Sequence, residues 1–300
     1  MNKSIIHIGF PRAASTFLQY KFFPNVKKMD FLGKPHNDDI KLAMSNLCFL
    51  DNEAYIESNT PEVFRKFIKQ KPVILSCEGI AVADNGTVIT QDPAVIANRL
   101  REIFDDAKII IIIRNQLSWI ESYYLRKSRI YNFGQTIQTP TEWFKRHYKS
   151  PGHSVLGRAD YFRLYKAFKK NFTEVEVIPL EELRDDYDLF LKKLCKIVGE
   201  DVLIKNKKPI NEGTTKLRIF LGYVHRFLLP KFFLVPFRPL LKKFKRSIVK
   251  FLESGPKAKV VFSDKIKEMI YELYAESNFK LNNSKKLSLE KYNYFLKDKQ

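Results

Sequence analysis

The chain has 300 residues, 45% hydrophobic and 29% charged, enough apolar material for a sizeable core in one large domain or a domain plus an appendage. Eleven glycines and the lack of a simple repeat exclude collagen-like, solenoid and disordered classes. A net charge of +20, from 53 Lys and Arg against 33 Asp and Glu, predicts an anionic partner: a phosphorylated cofactor, an acidic glycan, a membrane surface or nucleic acid.

Residues 5–18, IIHIGFPRAASTFL, read as strand, tight loop and helix start. The loop offers one fixed cation (Arg12), three small residues (Ala13, Ala14, Ser15) and two hydroxyls (Ser15, Thr16). Small side chains let backbone N–H groups approach a ligand, and the following helix N-terminus favours an anion. Arg12 can fork onto a tetrahedral oxyanion. An ordinary strand–helix turn is the plain alternative. A nucleotide-triphosphatase loop is excluded, because that motif needs Lys directly before Ser or Thr, and Ala14 stands there.

A helix is expected from Phe17 until Pro24 stops it, then a short strand ending at Gly33. Asp38 or Asp39 caps a helix through Leu47, and His36 lies in the loop before it. Thr60–Pro61 opens another helix. The apolar stretch 72–78 reads as a buried strand ending in Glu78, at the edge where ligand crevices of open α/β sheets lie. A capping or salt-bridge Glu is the other reading of that residue. The five isoleucines at 109–113 read as a central strand covered on both faces, with Arg114 at its end and Ser122 in the next helix. Thr139 or Thr141 starts a helix before Trp143, within a polar, aromatic stretch suited to an acceptor-binding lid. A helix over 160–172, a strand at 174–179 and a helix over 185–198 closed by Gly199 follow.

Segment 216–252 is rich in Phe and Leu and carries ten Lys or Arg and no acidic residue. It reads either as a basic surface lying on an anionic membrane or as a helical subdomain packed on the sheet. Helices over 263–281 and 288–297 close the chain. Cys48, Cys77 and Cys195 are an odd number, far apart in sequence, and read as reduced, which predicts a cytoplasmic protein. The apolar part of the N-terminus is too short for a signal peptide, and no stretch reaches the roughly 18 apolar residues of a membrane span.

The loop Pro11–Arg12–Ala13–Ala14–Ser15–Thr16–Phe17 resembles the 5′-phosphosulfate loop of sulfotransferases that use 3′-phosphoadenosine 5′-phosphosulfate (PAPS), of the bacterial glycan type. That family usually shows Lys at the position of Arg12 and often Gly near Ala14. Arg12 keeps the charge but cannot give up a proton as a general acid, and Ala14 is expected at an ordinary φ. The resemblance covers residues 4–200, more weakly 201–216 and in outline 262–295. It implies an α/β, P-loop-like parallel sheet flanked by helices, with residues 1–215 as the PAPS-binding core and 216–300 as a helical, basic extension packed on it. It further implies that Arg114 and Ser122 hold the 3′-phosphate, and that Lys208, Asn211 and Gly213 fold over that end of the donor. Glu78 becomes the general base, with His36 in reserve.

The implied activity is sulfuryl transfer from PAPS to a hydroxyl or amine of a carbohydrate or glycolipid acceptor, by in-line displacement and without a metal. Location would be cytoplasmic, with peripheral contact of 216–252 at the inner membrane face, and no nucleic acid is expected as partner. Two other classes stay open: a small-molecule kinase, and a non-catalytic basic binder of membranes or nucleic acid.

Overall fold

The computed structural model describes residues 3–34, 38–69, 71–82, 90–130, 139–204, 215–216 and 255–297. Five strands form one parallel sheet: β1 (Ser4–Gly9), β2 (Asp30–Leu32), β3 (Val73–Ser76), β4 (Ala107–Ile113) and β5 (Glu174–Pro179). Their order is β2-β3-β1-β4-β5, every neighbour parallel, and helices flank the sheet as the sequence predicts. The isoleucine run pays for its lack of a polar face by being fully buried from Ile109 to Ile113. In register, Gly9 faces Ile112 and His7 faces Ser76. The carboxyl ends of β3, β1 and β4 therefore lie side by side, and the segments that leave them share one edge of the sheet.

A short helix α1 (Ser15–Phe17) runs directly into a π-turn over Leu18–Phe22 and a 3₁₀ turn over Phe23–Asn25 containing Pro24. The single regular helix expected there is instead three successive windings. Next come α2 (Asp38–Phe49), α3 (Asn52–Glu57), α4 (Thr60–Ile68), α5 (Pro93–Ile103) and α6 (Gln116–Ile130). The sequence reading lacked α3 and α5, although Asp51 and Asp92 cap them by accepting the Ala54 and Ala94 amides.

Helices α7 (Pro140–Tyr148), α9 (Tyr161–Asn171) and α11 (Tyr187–Val198) follow the predicted signals closely, whereas the short helices α8 (Val155–Arg158) and α10 (Glu181–Asp185) lie where the sequence reading had only a polar connection and a turn. Thr139 and Glu142 form a capping box, Asp160 and Asp186 cap their helices, and Gly199 ends α11 at φ 77°.

The last long helix, α12 (Asp264–Lys285), is a turn longer than expected. It buries Ile266, Ile270, Tyr274 and Leu281. Its Asn278 exchanges two hydrogen bonds with Gln116 at the start of α6, at 2.7 and 3.1 Å. The helix expected over 288–297 is a single 3₁₀ turn, Leu289–Tyr292, because the flanking Ser288 and Asn293 turn left-handed. Among the described residues no helix is long and apolar enough to cross a membrane. Apart from Lys216, segment 216–252 lies outside the described residues.

Candidate functional site

The loop after β1 is held in a conformation that ordinary residues avoid. Arg12 has φ 73° and Ala14 φ 56°, both left-handed although neither is glycine. The ordinary φ expected at Ala14 is overturned. Each such residue costs about 1–2 kcal/mol, so neighbouring bonds must fix the loop. The Ala13 amide donates to the Phe10 carbonyl at 2.9 Å, and the Leu18 amide to the Ala14 carbonyl at 3.1 Å. Trp119 Nε1 donates to the Pro11 carbonyl at 3.0 Å, and Arg114 Nη1 to the Arg12 carbonyl at 3.0 Å.

Gly9 is required just before the loop, because a Cβ there would lie 2.3 Å from Ser15 Oγ and 2.7 Å from His7 Cε1. The Ser15 hydroxyl makes its bond within the loop, to the Phe10 carbonyl at 3.1 Å. Thr16 is half-buried, and the Phe17 ring meets Tyr187 edge-on at 5.9 Å.

Arg114 stands at the end of β4. Its Nε donates to Ser118 Oγ at 2.9 Å, one turn into α6, and the Tyr161 hydroxyl donates to its carbonyl at 2.6 Å. Burial first, then the cations Arg184 and Arg12, push the Arg114 pKa from 12.5 down to about 10, against the pull of Glu181. Three guanidiniums thus converge on the edge of the sheet, a field that an anion would relieve. Arg184, at the end of α10, was missed by the sequence reading. An exposed Arg in an acidic turn gives no local signal of what it approaches.

Ser122 lies one turn beyond Ser118 and accepts from Arg12 Nε at 2.8 Å. The structure therefore joins Arg12, Arg114, Ser118 and Ser122 in one cluster, with Ser122 on Arg12 and Ser118 on Arg114. Ser118 was also missed. The N-terminus of α6 is braced on all sides: Asn115 caps it through the Ser118 amide at 3.1 Å, and its own amide donates to Glu181 Oε1 at 3.0 Å. Asn115 Nδ2 adds a bond to the Asn293 carbonyl at 2.6 Å.

Glu78 begins a 3₁₀ turn, Glu78–Ile80, directly after β3 and its neighbour Cys77. The Cys77 amide donates to the His7 carbonyl at 3.3 Å, which ties this turn to β1. Glu78 is 14% exposed, and its Oε2 lies 3.6 Å from Lys34 Nζ and 3.8 Å from Arg126 Nη1. Arg126 is one turn beyond Ser122. Ser118, Ser122 and Arg126 thus occupy one face of α6 and meet Arg114, Arg12 and Glu78 in turn. His36, Lys208, Asn211 and Gly213 lie outside the described residues.

Beneath the loop, His7 is completely buried, with Nδ1 2.7 Å from Ser76 Oγ. Gln19, in the π-turn, donates to the same oxygen at 3.0 Å. Burial alone lowers the His7 pKa to about 3, so the ring is neutral, and its Nε2 finds no hydrogen-bond partner among the described residues. Cys48 and Cys77, distant in sequence, bring their thiols close to each other. That contact lowers the Cys77 thiol pKa, helped by the Gly79 and Ile80 amides, and raises that of Cys48.

No family model matches the chain, and no curated protein does. Solved structures of similar shape include a sulfotransferase from Alicyclobacillus acidocaldarius, 14% identical, with a TM-score of 0.48 over 71% of this chain and 87% of that one. Another is mouse sulfotransferase SULT7A1 complexed with PAP, 16% identical, with a TM-score of 0.42 over 68% and 61%. A third is the sulfotransferase domain from the curacin biosynthetic pathway, 15% identical, with a TM-score of 0.40 over 74% and 78%.

Proposed function

We propose that this protein transfers a sulfuryl group from PAPS to a hydroxyl or amine of a carbohydrate acceptor. The observation that carries the reading is a strained, multiply braced loop bearing Arg12, set between a half-buried guanidinium at one strand end and a carboxylate at another. Strain of this kind persists where a ligand site is pre-organised. The residues present fit the donor. Ala14 is half-buried and carries only a methyl, which leaves the loop open to approach there, and the clustered cations Arg12, Arg114 and Arg184 suit an anionic ligand. When bound, PAPS supplies the activated sulfuryl group.

The chain's own residues do the rest. Arg12 and the α1 N-terminus meet the charge that gathers on the leaving 5′-phosphate, where their interaction is worth most in the transition state. Arg114, oriented by Ser118 and the Arg12 carbonyl, holds the 3′-phosphate. Glu78 takes the acceptor proton as the acceptor oxygen bonds to sulfur and the sulfur–oxygen bond to the leaving phosphate breaks. Its Oε1 makes no hydrogen bond or ion pair among the described residues, so one oxygen is open for that proton.

The test is radiolabel transfer from sulfate-labelled PAPS to a carbohydrate panel, beside thermal unfolding with adenosine 3′,5′-bisphosphate. Label should appear in an acceptor, Arg12→Lys should keep the activity, and Arg12→Ala should lose turnover far more than donor affinity. Stabilisation by ATP with magnesium that exceeds the bisphosphate's would favour a kinase instead.

A further inference from the structure

Glu78 does not stand alone at its strand end, and its company bears on the acceptor. Lys34 and Arg126 both lie on Oε2, at 3.6 and 3.8 Å, beyond the 2.7–3.2 Å of a protein hydrogen bond. Ion pairs elsewhere in the molecule run from Lys3 on Asp106 at 2.6 Å and Lys267 on Asp264 at 2.8 Å to Lys108 on Glu174 at 3.6 Å and Arg158 on Asp92 at 3.8 Å, so the two on Glu78 are at the open end of the range. Lys34 and Arg126 are also open to solvent, 45% and 39% exposed, whereas Glu78 is 14% exposed. Among the described residues neither cation makes another hydrogen bond or ion pair. Two cations therefore serve one carboxylate, at a distance, with their remaining donors turned to water.

Helix α6 fixes the placement of Arg126 relative to the loop, and Lys34 comes to the same carboxylate from the segment after β2. Ser122 touches Arg12, and Arg126 follows one helical turn on, about 6 Å along the axis. That is the width of one sugar ring. A hydroxyl poised between the loop and Glu78 would carry its neighbouring substituent onto Lys34 and Arg126. The charge count points the same way. Once Glu78 takes a proton, the two cations face a neutral carboxyl, and an anion on the acceptor would replace the lost attraction.

We infer that the acceptor is an anionic sugar, bearing a carboxylate or a phosphate ester beside the hydroxyl that is modified, and that Lys34 and Arg126 select it. The inference rests on the sulfuryl-transfer reading above.

The test is calorimetric titration of the full chain, with and without adenosine 3′,5′-bisphosphate, in about 0.15 M salt to screen the diffuse positive field. The probes are tetramannuronate, mannose 6-phosphate and neutral mannotetraose. At least one anionic probe should bind about tenfold or more tighter than the neutral one, and which of the two does so identifies the anion. Lys34→Gln with Arg126→Gln should erase that preference and leave bisphosphate binding intact, which also certifies the fold. The charge-matched control is Lys192→Gln with Lys196→Gln. These exposed lysines lie on α11, whose end meets Lys108 at the start of β4, away from the site. The control should keep the preference.

Equal binding of neutral and anionic probes, binding of none, a preference that survives the Lys34 and Arg126 changes, or an equal loss in the control would overturn the inference. Failure of the bisphosphate to bind would instead sink the reading beneath it, and the sugar titrations without bisphosphate would still be decisive on their own.

Discussion

Arg114→Met separates a binding residue from a structural one. A guanidinium whose pKa falls from 12.5 to about 10 is held charged at a cost on the order of 3 kcal/mol, at about 1.4 kcal/mol per pKa unit. Methionine keeps much of the stem and removes that cost. Against it stand two charged hydrogen bonds, to Ser118 Oγ and the Arg12 carbonyl, together worth about 3–6 kcal/mol. The first offsets much of the second, so the ligand-free variant should lose no more than about 3 kcal/mol in urea unfolding.

The bisphosphate result should differ sharply. At a ligand concentration of about one hundred times its Kd the parent gains about 2.7 kcal/mol, and the variant should gain almost none at that concentration. Urea unfolding followed by tryptophan fluorescence, with and without bisphosphate, reads both numbers. A ligand-free loss above about 3 kcal/mol, or an undiminished ligand effect, would refute the picture of a cation cluster poised for an anion.

Glu78→Gln should lower turnover by roughly two to four powers of ten while bisphosphate affinity hardly changes, as single-turnover assays and calorimetry would show. Gly9→Ala should cost about 1–3 kcal/mol through the 2.3 Å approach to Ser15 Oγ, and adding Ser15→Ala should recover part of it; strictly additive losses in a double-mutant cycle would refute the contact. Buried His7 stays neutral until about pH 3, whereas in the unfolded chain it takes a proton below about 6.5, so its contribution is complete above that pH and is lost as pH falls toward 3. Between pH 7.5 and 5 this amounts to about 2 kcal/mol, and His7→Gln should show a correspondingly smaller loss in urea titrations at the two pH values.

Those residues also show what a sequence can and cannot disclose. The isoleucines at 109–113 announced a central strand because no amphipathic helix or exposed strand tolerates such a run. Glu78 and Arg114 were found because strand ends in parallel sheets converge on one edge. The pairing of Ser118 with Arg114 escaped, since Ser118 and Ser122 share one helix face and spacing alone does not say which partner each meets. Ser122 meets Arg12, which arrives from the loop after β1, and no local spacing announces that partner. Left-handed Ala14 was unreadable for another reason: the loop that carries it is pinned at the Pro11 and Arg12 carbonyls by Trp119 and Arg114, about a hundred residues away in sequence. The neighbouring thiols of Cys48 and Cys77 were hidden in the same way.

Helix α6 sets an upper limit on how this site can drift over generations. Its serines and Arg126 index three strand ends at intervals of four residues. One residue inserted after Ser118 would turn Ser122 and Arg126 by about 100° and shift them by about 1.5 Å, stripping Arg12 and Glu78 of their contacts at a stroke. Side chains along the rod can be exchanged one at a time, each at its own cost. The number of residues between Arg114 and Arg126 cannot, so relatives that share this chemistry should agree in that length even where their letters have diverged past recognition.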